Sequence, residues 1–192
     1  MRPGITVVIP SIPPRAHLLH RAVGSVLRQM LPAAALSVVV DHQREGAPVT
    51  RQRALDAVGT EWVAFLDDDD EMQPEHLARL MACAEETGAD YVYPWYTVVG
   101  GADPMPGHFG RPWDPADPRQ TTITTLVRTE LAQEVGFLRP AEGGTVGGQV
   151  WGEDYQFTLG CQRAGAQIVH LPERTWLWHH DSGNTSGRPD RW

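Results

Sequence analysis

No lysine occurs among the 192 residues; all sixteen basic side chains are arginine. That absence excludes a P-loop lysine, a lysine Schiff base and a lysine general base. Cysteine is scarce too. Cys83 and Cys161 are the only two, both fall in helix-like stretches, and neither has zinc spacing or a disulfide framework around it. Both read as free buried thiols. No apolar run approaches the ~18 residues of a membrane helix, and Met1-Arg2-Pro3-Gly4 leads into a strand-like run without a targeting pattern. The expectation is a soluble, cytoplasmic protein with no stable membrane insertion. Positive charge is short as well: 24 acidic residues against sixteen basic ones give a net charge of −8, a poor basis for holding a nucleic-acid backbone.

What is present is an ordinary globular composition, 41% hydrophobic and 21% charged, at a length that suits one domain with a proper core. Strand and helix patterns alternate through the first half. Ile5 to Ile9 is a β-branched run ended by Pro10, as for a strand buried on both faces. Leu19, Val23, Val26, Leu27 and Met30 mark one helix face. Leu36 to Val40 reads as a strand ending at Asp41, Thr50 to Val58 as a helix, and Trp62 to Leu66 as a strand ending at Asp67. Leu77, Leu80, Met81 and Ala84 give a helix face opened by Pro74 and closed by Gly88, and Tyr91 to Tyr93 a further strand. Such alternation predicts a parallel sheet wrapped by helices, with Pro10, Asp41 and Asp67 to Asp70 facing one crevice at the strand ends.

The second half differs. A Gly/Pro/Trp-rich loop is expected over 98–119, a strand over 123–127 and a short helix over 130–135. Four glycines make 141–150 look flexible, 153–164 reads as a helix capped by Gly165, and 167–171 and 175–178 read as strands before a polar tail from Ser182.

The chemistry concentrates in few places. Asp67-Asp68-Asp69-Asp70 follows a buried strand; adjacent carboxylates repel one another, and a divalent cation relieves that cost. Oxygen ligands suit Mn²⁺ or Mg²⁺, though an acidic loop before a helix would look the same. Glu153-Asp154 opens a helix, as N-terminal capping carboxylates or as a general base at the crevice rim. His179-His180-Asp181 ends a strand-like run, and neighbours in a strand point to opposite faces, so at most one histidine reaches a given site. Tyr93, Trp95, Tyr96 and Trp113 offer a sugar-stacking platform or aromatic core. Gly143 to Gly148 is not a dinucleotide fingerprint, and Asp181-Ser182-Gly183 is not a nucleophile elbow.

Taken in order, these pieces resemble a family 2 glycosyltransferase of the GT-A fold. Val7-Val8-Ile9-Pro10 is similar to the opening strand, and Ser25-Val26-Leu27-Arg28-Gln29 to the "S-x-L-x-Q" helix. Val39-Val40-Asp41 matches the strand whose Asp contacts the nucleotide base, and Thr50-Arg51-Gln52-Arg53-Ala54 stands where "A-R-N-x-G" is common. Phe65 to Asp70 with Pro74 matches "F-L-D-x-D-D…P", Glu134 to Phe137 the "x-x-G-x-F" stretch, and Glu153-Asp154 the "E-D" pair. Asp41-His42-Gln43-Arg44 departs from the usual "D-D-G-S", and Gln52 from the usual Asn.

The resemblance implies a mixed, mainly parallel sheet flanked by helices in a single domain, with a nucleotide-sugar-binding half over about 1–95 and an acceptor half over about 96–192. It implies a UDP-sugar donor and an acceptor hydroxyl of open identity. Pro10, Asp41, Arg51, Asp67 and Asp68 would bind the donor, Asp69 and His180 the Mn²⁺ or Mg²⁺, and Asp154 would be the base of an inverting transfer. Glu153, His179, Asp70 and Trp95 are further candidates. A retaining transferase, a catalytically weak nucleotide-sugar-binding module and a nucleotidyltransferase or phosphohydrolase are the competing readings.

Overall fold

The first β-branched run extends from Ile5 to Ser11 (β1), and all seven residues are buried. Alternation divides its side chains between the faces of the sheet: Ile5, Val7 and Ile9 enter one core cluster and Val8 another. Pro10 does not end the strand, for a reason visible in the ladder. Ile5 and Ser11 bond toward the second strand, Ala35–Val40 (β2), whereas Gly4 and Val8 bond toward the third, Trp62–Phe65 (β3), at Trp62 and Leu66. Pro10 faces the side where β3 has already finished, so its missing N–H breaks no ladder bond.

The computed structural model describes residues 4–117, 122–138, 145–146, 149–150 and 152–180. Its helices are Ala16–Leu27 (α1), Ala47–Asp56 (α2), His76–Thr87 (α3), Thr129–Val135 (α4) and Glu153–Arg163 (α5). The remaining strands are Glu71–Met72 (β4), Tyr91–Val99 (β5), Leu126–Arg128 (β6), Thr145–Val146 (β7), Gln149–Val150 (β8) and Ile168–His179 (β9). Seven strands form one sheet in the order β2-β1-β3-β6-β5-β9-β4. Pairs β1–β2, β1–β3 and β5–β9 are parallel, while β6 and β4 run against their neighbours. α1 and α3 pack on one face with Val26, Leu77 and Leu80; α2, α4 and α5 cover the other with Leu55, Ala132 and Phe157. The result is a three-layer α/β domain with a mixed, mainly parallel sheet.

Two strands outrun their sequence patterns. β5 continues six residues past Tyr93, and β9 unites the two short strands expected at 167–171 and 175–178. Pro94 and Pro172 interrupt the alternation in both. The pairing absorbs them as register shifts, from Tyr93↔His170 to Trp95↔Arg174 to Tyr96↔Trp176. The strand β4 carries no sequence signal of its own. Its place is set by Ser25, whose Oγ accepts the Met72 N–H at 3.1 Å, and by Gln29, whose Oε1 accepts the Leu77 N–H at 2.9 Å. Ser25 stands in the last turn of α1 and Gln29 just beyond it, and together they hold the segment that follows the four aspartates.

α3 ends as expected at Gly88, in the left-handed conformation (φ 74°). Cys83 and Cys161 are free and buried. The glycine-rich stretch at 141–150 lies outside the described residues except for the antiparallel pair β7–β8, and the tail from Ser182 lies outside them altogether. Among the described residues no helix is long and apolar enough to cross a membrane.

Candidate active site

The carboxyl ends of β1, β2 and β3 open toward one region, as a sheet of this topology requires. At the end of β2, Asp41 turns back on its own loop: its Oδ1 accepts the Gln43 N–H at 3.0 Å and its Oδ2 the Gly46 N–H at 2.8 Å. Burial pushes the Asp41 carboxyl up, but the N–H groups of Gly46, Glu45, Gln43 and Arg44 outweigh it and leave the pKa lowered.

Beyond β3 the aspartates diverge in role. Asp68 is 2% exposed; Ser11 Oγ donates to its Oδ2 at 2.7 Å and Arg15 Nη1 to its Oδ1 at 2.9 Å. Arg15 also lies 3.2 Å from Asp69 Oδ2, and Arg21 donates to the Asp69 carbonyl. Asp67, Asp69 and Asp70 each offer a carboxylate oxygen within 4.8 Å of the others. Burial, then the Asp67 charge, push the Asp69 carboxyl up to about 7 against the pull of Arg15. Burial and the charges of Asp69 and Asp67 raise Asp70 well above the usual range. Three carboxylates crowded this closely suit a hard divalent cation.

Asp154 begins α5 and lines the same hollow, of about 90 Å³, as Asp67, Asp69, Asp70 and Arg15, with Thr122, Thr124, Trp176 and Trp178 completing it. About a third of the Asp154 side chain is exposed, yet its Oδ1 is buried without a hydrogen-bond partner. Burial, then the neighbouring Glu153 charge, raise its pKa against the opposing effect of Arg51. Arg51 itself is 2% exposed. Its Nη2 donates to Asp67 Oδ1 at 2.9 Å, its Nη1 to Glu153 Oε1 at 3.2 Å, and Asp154 Oδ1 lies 3.7 Å away.

The side chains of the histidines and Trp95 stand apart from this group. His179 donates its backbone N–H to Asp70 Oδ1 at 3.0 Å and pairs its Nε2 with Glu71 Oε1 at 2.8 Å. His180 continues the β5–β9 pairing through Val99 O, and its ring lies against Gly101 and Trp178, outside the carboxylate group. Trp95 is 1% exposed and stacked on Tyr96, so neither ring face is open to a sugar. The lengthened β5 and β9 account for this by carrying Trp95 into the sheet. Arg15 was not singled out from the sequence, although Pro13-Pro14-Arg15 follows directly on β1 at the crevice end. A larger hollow, about 960 Å³, lies at the other end of the strands around Thr60, Glu61, Asp90, Arg128 and Gly165, and holds none of the expected site residues.

The glycosyl transferase family 2 model matches residues 26–133, more than half of the chain. The chain belongs to glycosyl transferase family 2. The family match takes in Asp41, Arg51 and the aspartate run and stops before Asp154. The succinoglycan biosynthesis protein ExoM of Rhizobium meliloti (strain 1021) is 28% identical over 178 residues, 84% of this chain and 52% of that protein. Among solved structures, S. aureus TarS 1–349 in complex with UDP-GlcNAc has a TM-score of 0.76 at 18% identity, over 96% of this chain and 61% of that one. The TarS complex with UDP gives 0.72, also at 18% identity, over 94% and 61%. At such identity the likeness speaks for the fold, which is GT-A. The chain spans about half the length of the curated relative and about three fifths of these structures.

Proposed function

We propose that this chain is an inverting glycosyltransferase that moves a sugar from a UDP-sugar to an acceptor hydroxyl, with Asp154 as the base. The observation that carries this reading is the convergence of Asp154 with Asp67, Asp69 and Asp70 on one hollow at the strand ends, in a family 2 chain. The UDP-GlcNAc and UDP held by TarS structures of the same fold favour uracil as the donor base.

Asp69, with Asp67 and Asp70 beside it, would hold Mn²⁺ or Mg²⁺, which when bound supplies positive charge against the leaving nucleoside diphosphate. The chain's own groups do the rest. Asp41, kept anionic by its ring of N–H donors, offers an acceptor at the end of β2 for N–H groups of the donor base. Pro10, in register with Val39 two residues before Asp41, forms the neighbouring strand end. Asp68, tied to Ser11 and Arg15, fixes the loop so that Asp67 and Asp69 keep their separation. Asp154 lines the hollow with about a third of its side chain exposed; as the acceptor oxygen attacks in line, the Asp154 carboxylate takes its proton. Trp95 and His180 have no part in this reading.

The test is Asp154→Asn. With Mn²⁺ present, UDP affinity by calorimetry should stay within about threefold of wild type, while transfer falls by at least ~10². Undiminished transfer would move the base elsewhere, and a product that keeps the donor's anomeric configuration would replace inversion with retention.

A further inference from the structure

We propose that Arg51 is a positioning residue for the transfer step, a buried brace between Asp67 and the Glu153–Asp154 pair, and not a donor contact. The proposal rests on the reading of Asp154 as base. The Arg51 side chain is 3% exposed and is not among the groups lining the hollow; it stands behind them. Its two terminal nitrogens reach in different directions, Nη2 to Asp67 beyond β3 and Nη1 to Glu153 at the start of α5, 102 residues further along the chain. Both terminal nitrogens hold carboxylates, and the guanidinium does not line the hollow where a donor diphosphate would sit. A planar fork can hold two carboxylates at a fixed separation; a single ammonium cannot.

Asp154 Oδ1, the oxygen without a hydrogen bond, has the Arg51 guanidinium 3.7 Å away. Arg51 therefore gives the base carboxylate a fixed counter-charge on its buried side, while the exposed third of the side chain stays available for an acceptor proton. The rest of α2 reinforces the brace. The guanidinium lies over the Phe137 ring at 5.3 Å, and the next residue, Gln52, accepts the Phe137 N–H at 2.7 Å. Phe137 in turn stacks on Phe157 of α5, with ring centroids 4.3 Å apart. One turn of α2 thus fixes α5 against β3 through charge on one side and aromatic packing on the other. Removing Arg51 would leave Asp67, Glu153 and Asp154 as like charges with no cation between them, and the start of α5 free to shift.

The experiment compares wild type, Arg51→Lys, Asp154→Asn and the double variant. Turnover is read as UDP release from UDP-GlcNAc with Mn²⁺, donor affinity as UDP binding by calorimetry, and folding by circular dichroism. For Arg51→Lys, kcat should fall at least ~30-fold, with UDP Kd and donor KM within about threefold of wild type. Because Arg51 acts through Asp154, adding Arg51→Lys to Asp154→Asn should cost less than about threefold more. A tenfold rise in Kd or KM with kcat intact would make Arg51 a donor contact and overturn the proposal, as would full additivity in the double variant. Should Arg51→Lys fail to fold, Glu153→Gln removes one arm of the brace and leaves the Asp67 pair in place; it should lower kcat at unchanged Kd, and unchanged kcat overturns the proposal. A wild type that binds UDP and turns over the donor, while Asp154→Asn does so equally well, would instead overturn the reading of Asp154 as base.

Discussion

Replacing Asp69 by Asn is expected to stabilise the metal-free protein, and more so at high pH than at low. Asp69 is 9% exposed, and burial together with the Asp67 charge lifts its pKa from 3.8 to about 7. The folded chain therefore holds that proton more tightly than the unfolded chain does. Below pH 3.8 the group is protonated in both states and has no effect on stability. Between pH 3.8 and about 7 the unfolded chain gives up the proton while the folded chain retains it, so stability is lost across that window and the loss levels off above about 7. At ~1.4 kcal/mol per pK unit the loss is about 4 kcal/mol at pH 8 and about 2 kcal/mol at pH 5. Asn keeps the shape and removes the charge. Urea unfolding in EDTA should then place Asp69→Asn above wild type by about that much at pH 8 and about half as much at pH 5. His76, whose pKa burial lowers from 6.5 to about 3, has the opposite sign and weakens the fold as pH falls below 6.5. That contribution is common to both proteins and drops out of the difference. Excess Mn²⁺ should raise the wild-type midpoint at pH 8 and barely move the variant. A variant no more stable than wild type at pH 8 would refute the premise that the acidic run is under mutual repulsion.

Two further outcomes test the packing behind the site. Phe157→Ala removes a ring stacked on Phe137 and edge-on to Phe65 at 5.7 Å; it should cost about 3–5 kcal/mol and lower Tm by roughly 10 °C, and a loss under about 1 kcal/mol would mean the three rings do not share a core. Gly136→Ala should cost roughly 2–3 kcal/mol in the same unfolding assay, because Gly136 has φ 64° and an added Cβ would stand 2.8 Å from Gln52 Oε1; an Ala variant as stable as wild type would show that the turn can relax.

The first half of the chain was legible because its strands are short, apolar and punctuated. Ile5, Val7 and Ile9 could be seen as core, and Gly88 as a helix stop, from local physics alone. The acidic run could be singled out because it follows a buried strand, and Asp154 because Glu153-Asp154 resembles the family's acidic pair, although carboxylates at a helix start also serve as caps. Less could be read where pairing overrides local pattern. Pro94 and Pro172 look like breaks, yet each sits at an irregularity that the partner strand accommodates, so β5 and β9 run on and Trp95 is buried. Arg51 illustrates another limit. Its residue type suited a donor contact, while its partners at Asp67 and Glu153 depend on how α2, β3 and α5 pack. Position in sequence carries no sign of which of several acids a buried guanidinium will face.

The two-residue strand β4 gives the acidic run a mechanical character. The run leaves β3 near the middle of the sheet and lands on β4 at its far edge, passing the ends of β6, β5 and β9. Four strand spacings in a flat sheet amount to ~19 Å. From Phe65 to Glu71 the backbone reaches at most roughly 21 Å when straight, and the turn closed by Asp70 N–H on Asp67 O brings that to about 17 Å. The run can make the crossing only if the sheet curls, as a bowstring fits only a bent bow. The turn holds Asp67 near Asp70, and the curl of the sheet keeps that turn from being pulled open. A substitution deep in either core layer that flattens the sheet would stretch the string and spread the carboxylates, with no residue of the site altered.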